Sequence, residues 1–246
     1  MDEAIYLAMT GAKQTEIAQA INTNNLANIS TTGFRADLHA FSSAPIEGPG
    51  VDSRINAVVE TYGTDFSQGP TTFTGRDLDV AIQGPGFIAV QAPDGSEAYT
   101  RAGDLRVDPS GLLMTGRGDL VLGNAGPVSI PPNAGLTMGT DGSITVQPLG
   151  QGPEALSLID RLKLVNPDVK QLAKGEDGLL RHVDALPLEP DGAVRITSGA
   201  LEQSNVNAAM TLINMIELSR QYEMQVNIIR EAKDNADASA DLLNVT

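Results

Sequence analysis

Two helical signals at opposite ends of a 246-residue chain bracket a body that reads as strands, and that order limits the fold more than any single motif. From Ala4 to about Asn28, apolar residues recur at helical spacing through Ile5, Met9, Ala12, Ile17, Ala20 and Ile21,. At the far end Leu212, Met215, Ser219, Tyr222, Val226, Ile229, Lys233, Ala236, Ala240 and Leu243 alternate steps of three and four, a sustained heptad seam,. An amphipathic helix takes most of its stability from the surface it packs on, so these two must meet each other or neighbouring subunits. The first seam, read through Leu7, Thr10, Gln14, Ile17, Ile21, Asn24 and Asn28, is half polar, which weakens packing and fixes register,. Ser30-Thr31-Thr32-Gly33 ends that helix, with Phe34 as an anchor for the exit, and Ser204 or Asn205 is the expected cap of the second,. Ile213, Ile216 and Ile228 add an apolar edge outside the second seam, which points to a bundle of several chains.

Between the helices, short apolar runs arrive in quick succession. They include Leu78-Asp79-Val80-Ala81-Ile82, Phe87 to Val90, Ala98 to Thr100, Leu105 to Val107, Leu112 to Met114, Leu120 to Leu122, Leu136 to Met138, Ile144 to Val146, Leu162 to Val165 and Val194 to Ile196. Turn signals separate them, among them Pro93-Asp94-Gly95, Asp108-Pro109-Ser110-Gly111, Asp141-Gly142 and Asp177-Gly178,. Such a pattern predicts an antiparallel sandwich or barrel, with Gly84-Pro85-Gly86 as a tight hairpin and Gln147 to Pro153 as a loop,. The expected class is therefore α+β. Residues 1–35 and 204–246 form a discontinuous coiled-coil domain, residues 36–75 an extended connector with isolated strands, and residues 76–203 the central all-β domain.

Composition removes several function classes. Sixteen Lys and Arg against 31 Asp and Glu give a net charge of −15, which repels nucleic acid and anionic membranes,. No apolar run approaches the roughly 20 residues of a membrane helix, and Met1-Asp2-Glu3 is acidic where a signal peptide is basic,. With no Cys there is no disulfide, thiol nucleophile or thiolate metal site, and 4% aromatic residues without Trp leave few stacking platforms,. His39 and His182 lack a second His within reach for a metal site,. There is no Gly-x-Ser-x-Gly elbow and no Gly-x-x-x-x-Gly-Lys phosphate loop,. Asp77 and Asp79 read as an exposed acidic strand edge, and Arg117-Gly118-Asp119 as an ordinary turn,. No catalytic, cofactor or metal residue is expected.

The sequence resembles a known group at three places in order. Asn24-Asn25-Leu26-Ala27-Asn28-Ile29-Ser30-Thr31-Thr32-Gly33-Phe34-Arg35-Ala36 is similar to the N-terminal signature of bacterial flagellar axial proteins, the rod and hook group. Ser204-Asn205-Val206-Asn207 with Asn214 to Glu217 and Arg220 to Glu223 resembles its C-terminal signature. Leu78 to Phe87 and Ala98-Tyr99-Thr100-Arg101-Ala102-Gly103 resemble its β-domain motif. Thr64 to Gly69, Thr74 to Val80, Leu162 to Val165 and Lys174 to Gly178 favour a proximal rod subunit over a distal one, and Pro85 departs from the usual small polar or acidic residue. The resemblance implies a structural subunit of the periplasmic flagellar rod, exported through the flagellar type III apparatus without a cleaved signal, whose partners are other rod and axial proteins. In that picture Asn24, Asn25, Leu26, Asn28 and Phe34, with Leu212, Met215, Tyr222, Val226 and Ile229, form the assembly interface of terminal helices packed into a tube. A secreted module gripping cell-wall glycan through its β body is the alternative from another class.

Overall fold

The computed structural model describes residues 2–45, 55–150 and 155–244. The chain divides into two compact units, one of Met1–Asn28, Asp37–Gly63 and Val206–Thr246, the other of Ile29–Ala36 and Thr64–Asn205.

The first unit holds helices α1 (Asp2–Ala27) and α2 (Ala208–Asn244) and a two-stranded ribbon of β1 (Asp37–Pro45) and β2 (Ile55–Thr64). Residues 46–54 of the expected connector lie outside the described residues. The helices run antiparallel, since Asn22 bonds Thr211 while Thr15 bonds Gln225. On α1 the buried positions are Ala8, Thr15, Ala18, Asn22 and Asn25. With Gly11 they step by three and four, one residue away from the polar seam the sequence suggested. Small side chains explain the choice, because they let two backbones come close and put Gly11 where an added Cβ would lie 2.9 Å from Gln225 Nε2. The α2 partners are Thr211, Leu218 and Gln225, spaced by sevens, of which Thr211 and Leu218 are buried.

The start of α2 differs from the expected cap. Asn207 holds it, its Oδ1 accepting the Met210 N–H at 3.2 Å and its carbonyl accepting the Thr211 hydroxyl at 2.8 Å,. Ser204 is buried, and Asn205 is spent elsewhere: its Oδ1 accepts the Ala36 N–H at 2.8 Å and its amide donates to the Asp65 carbonyl at 2.9 Å.

The second unit is built of short strands, β3 (Thr71–Phe73), β4 (Val80–Gln83), β5 (Phe87–Gln91), β6 (Glu97–Thr100), β7 (Leu105–Val107), β8 (Leu113–Thr115), β9 (Leu120–Val121), β10 (Asn133–Met138), β11 (Ser143–Pro148), β12 (Ser157–Arg161), β13 (Leu164–Val165), β14 (Leu172–Lys174), β15 (Leu180–His182), β16 (Arg195–Ser198) and β17 (Ala200–Glu202). An eight-stranded sheet runs β14-β15-β6-β5-β9-β8-β7 with β13 also on β5; β10-β11-β12 form a second sheet, and β16-β4 and β17-β3 form pairs. Every register in this unit is antiparallel. The core joins Val80, Ile88, Val90, Leu105, Leu113, Val121, Ile144, Leu162 and Ile196, all buried. A smaller cluster gathers Phe87, Ala89, Tyr99, Val165 and Leu180 on the other face of β5, as period-two alternation on a strand buried on both sides requires,.

Two local expectations are corrected. Gly84-Pro85-Gly86 joins β4 to β5, but β4 pairs β16 while β5 pairs β6, β9 and β13, so the turn carries the chain between sheets instead of closing a hairpin. Gly86 at φ +133° has Val194 Cγ1 2.8 Å from where a Cβ would sit, which forces glycine there,. Gln147 and Pro148 belong to β11 rather than to a loop, and residues 151–154 lie outside the described residues.

Candidate functional site

The seam inside the helix pair is polar, and its groups are satisfied across the pair. Asn22 Nδ2 donates to the Thr211 carbonyl at 2.8 Å, and the Thr15 hydroxyl lies 3.1 Å from Gln225 Oε1. Asn25 clamps β1, its Nδ2 donating to the Asp37 carbonyl at 2.8 Å and its Oδ1 accepting the Asp37 N–H at 2.9 Å, as a neighbouring strand would. Outside it, large apolar side chains stand exposed among charged ones such as Glu16, Glu217, Arg220 and Glu223. Tyr6, Leu7, Met9 and Ile17 on α1 are exposed, as are Met210, Leu212, Ile213, Ile216, Tyr222, Met224 and Ile228 on α2. Burial of apolar area drives association, so the surface this chain leaves uncovered is the sticky one.

The residues expected at an assembly interface fall into three groups. Asn24, Leu212 and Tyr222 are exposed, the last two at 48% and 41%. Leu26, Asn28, Met215, Val226 and Ile229 are half-buried, and Asn28 Nδ2 donates to the Asn24 carbonyl at 2.9 Å. Asn25 and Phe34 are buried. Phe34 belongs to the second unit, where Lys174 Nζ stands 4.0 Å from its ring centroid. Sequence reasoning passed over Asn22, Thr15, Gly11 and Gln225 as seam residues; the signal was present in the three-four run of small residues at 8, 11, 15, 18 and 22.

The second unit contains a buried charge cluster. Glu202 Oε1 lies 2.6 Å from Arg35 Nη2, and Oε2 lies 2.8 Å from Arg101 Nη1, all three side chains being within a few per cent of fully buried. Glu202 Oε1 also accepts the Gly69 N–H at 3.0 Å, and the Glu202 carbonyl accepts the Gly33 N–H at 2.8 Å. Arg101 Nη2 donates to the Gly84 carbonyl at 2.7 Å, and its guanidinium sits 5.2 Å from the Phe87 ring centroid,. Burial lowers the Arg101 pKa from its ordinary value, Glu202 opposes that, and the neighbouring Arg35 adds to it,. One carboxylate thus ties the segment after α1, the turn before β3, the end of β6 and strand β17. Nothing in the sequence marks Glu202, since an acidic residue next to Ala200-Leu201 reads as a strand's solvent face.

Asp79 is also corrected. It is buried, not an exposed edge, and accepts from the Thr74 hydroxyl at 2.6 Å and from Arg76 Nε at 2.9 Å. Asp104, bridged to it across the backbone, has its pKa raised by burial first and by the Asp79 charge second. Among the described residues no group of His, Asp and Glu is arranged to hold a metal ion, and no helix is long and apolar enough to cross a membrane.

Comparison with known proteins assigns these parts. Residues 5–35 match the family model described as flagella basal body rod protein, residues 81–146 the flagellar hook protein FlgE/F/G D1 domain, and residues 197–242 the flagellar basal body rod FlgEFG protein C-terminal region. The chain is 41% identical to the flagellar basal-body rod protein FlgF of Escherichia coli (strain K12) and 38% identical to that of Salmonella typhimurium (strain LT2), each alignment covering all of both chains. It is 32% identical to the flagellar basal-body rod protein FlgG of Buchnera aphidicola subsp. Schizaphis graminum, over 91% of this chain and 93% of the relative. The chain belongs to the flagellar basal-body rod protein family. As a member of that family it is a structural protein and not an enzyme. The rod-protein segments map onto the geometry directly: Arg35 lies in the first matched segment, Arg101 in the second and Glu202 in the third. One buried ion cluster therefore joins all three regions that define the family.

Proposed function

We propose that this chain is a FlgF-type subunit of the flagellar basal-body rod, polymerising through its terminal helices with copies of itself and with other axial proteins. The observation that carries this reading is the inside-out character of the helix pair. Apart from Leu218 its inner seam is small and polar, while large apolar side chains, Leu212, Ile213, Ile216, Tyr222, Met224 and Ile228 among them, are exposed. A chain that kept this surface bare in water would aggregate; one that lays it against neighbouring helices buries it in an ordered wall. Asn24, Leu26 and Asn28 with Leu212, Met215, Tyr222, Val226 and Ile229 supply that contact, whereas Asn25 and Phe34 secure the subunit's own fold. The full-length identity to FlgF relatives, above that to the FlgG relative, favours the proximal over the distal rod. In that setting the subunit passes through the flagellar type III export apparatus without a cleaved signal, resides in the periplasmic rod and transmits torque toward the hook.

Quantitative mass spectrometry of hook–basal bodies purified from the native host tests this. A small, fixed ratio to the hook protein is expected. A several-fold larger ratio assigns the distal rod, and absence from the particle overturns the structural role.

A further inference from the structure

The second unit carries a half-open recess of about 240 Å³. Small-molecule pockets run to roughly 300–1,000 Å³, so this one has the scale of a single inserted side chain. Leu162 and Leu164, both buried, give it an apolar floor, and its rim holds Asn124, which is exposed, with Asp141, Arg161 and Asp191, which are half-buried. The rim charges are not equally engaged. Arg161 is spent on Asp141, its Nε donating to the Asp141 carbonyl at 2.7 Å and its Nη2 to Asp141 Oδ2 at 2.8 Å, while Asp141 Oδ1 accepts from the Ser143 hydroxyl at 2.7 Å. Asp191 is held through its backbone, its N–H donating to the Leu164 carbonyl at 2.8 Å, and its Oδ1 accepts the Ala193 N–H at 2.8 Å. No cation pairs with Asp191 among the described residues. Two carboxylates against one guanidinium leave the rim with one negative charge, located at Asp191.

We propose that this recess receives a lysine side chain from a neighbouring axial subunit, given that the chain is a rod subunit. An apolar floor under a charged rim matches a side chain with an aliphatic stem and a cationic head: the stem covers Leu162 and Leu164, and the head meets Asp191 and the Asn124 amide oxygen,. The choice of an ammonium over a guanidinium follows from the acceptors. A guanidinium fork is best met by both oxygens of one carboxylate, but Asp191 Oδ1 already serves the Ala193 N–H and both Asp141 oxygens are engaged,. One open carboxylate oxygen beside an amide oxygen suits the compact, rotatable donors of an ammonium. The net charge of −15 adds a reason for such a contact, because strongly acidic copies repel one another unless cations of one are placed against carboxylates of the next,.

A carbodiimide joins a carboxylate to a primary amine as an amide only where the two touch, so it reads this contact directly. Purified hook–basal bodies and the free full-length monomer are treated alike, and cross-linked peptides are identified by mass spectrometry. A link from Asp191 to a lysine is expected in the particle and not in the monomer. Asp191→Asn keeps an oxygen for the Ala193 N–H but removes the charge, and should lose the link. Asp184→Asn, whose side chain is 72% exposed and does not line the recess, should retain it. Particles that contain the chain but show no Asp191–lysine link overturn the proposal and leave the rod assignment standing. The same link in the free monomer also overturns it, since the amine then belongs to the same copy. Absence of the chain from the particle overturns both.

Discussion

Replacing Glu202 by Gln keeps the shape of the side chain and removes its charge, which makes it the sharpest probe of the buried cluster. The amide oxygen can still accept from Arg35 or from the Gly69 N–H, but the amide nitrogen then faces Arg101 Nη1, which lies 2.8 Å from the wild-type oxygen, donor against donor. Two buried cations lose the carboxylate that bridges them. Removing one partner of a buried ion pair destabilises by about 3–5 kcal/mol. Against a total stability of about 5–15 kcal/mol, that is a large fraction. With a urea slope of about 2 kcal/mol per molar, the unfolding midpoint should drop by roughly 1.5–2.5 M. Urea unfolding followed by circular dichroism, with slopes compared between variant and wild type, reads this directly. A loss below about 1 kcal/mol at unchanged slope would refute the reasoning, because it would mean the carboxylate's desolvation cancels what it gives the two arginines. The corollary separates charge from packing: replacing all three residues by apolar ones of similar volume should be far less harmful than Glu202→Gln alone.

Other perturbations reach the remaining features. Gly33→Ala places a Cβ 2.2 Å from the Arg101 carbonyl carbon at φ +66°, against backbone that cannot yield, and should cost about 3 kcal/mol or more in the same urea assay,. Gly11→Leu should wedge the helix pair at Gln225 and lower amide-exchange protection along α1, while Gly11→Ala, which needs only the flexible Gln225 amide to move, gains up to about 1 kcal/mol of helix propensity and should be tolerated,. Val226→Asp puts an unpaired charge in the proposed interhelical contact and should abolish swimming and incorporation into basal bodies without unfolding the β unit; normal swimming would sink that contact. The Asp177 pKa is lowered by its hydrogen bond from Arg181, helped by the Leu179 N–H, so its stabilisation is complete above the unfolded value near about 3.9 and fades as pH falls through the lower folded value,. Asp177→Asn should therefore be less stable than wild type at neutral pH, with the two unfolding curves converging as pH falls through the lowered folded value,.

How much of this was legible in the sequence depends on the range of the interaction involved. Both helices, the strand-rich body and turns such as Asp94-Gly95, Asp141-Gly142 and Asp177-Gly178 could be read, because they rest on spacing and on local backbone preference. The second helix was read as a heptad seam through Leu212, Met215, Tyr222, Val226 and Ile229, yet its facing residues within one chain are Thr211, Leu218 and Gln225, since the partner helix offers small and polar side chains in place of a broad apolar stripe. Asn207 took the cap from Ser204 and Asn205 because Asn205 is held by Ala36 and Asp65, a competition no local rule contains. The same holds for Gly84 to Gly86, whose glycines signalled a turn but not which sheet the following strand would join.

The sequence by itself determined the α+β class, the helical ends, the absence of a strong catalytic motif and the resemblance to flagellar rod proteins, because period, composition and contiguous motifs survive in one dimension. Folding alone settles that Glu202 is buried between Arg35 and Arg101, that Asn22 and Asn25 turn inward while Leu212 and Tyr222 stay exposed, and that large apolar side chains of the helices remain outside their mostly small and polar seam. Those are facts about groups up to 210 positions apart in the chain, and electrostatic and packing partners at that separation are chosen by the folded backbone rather than by neighbours in sequence.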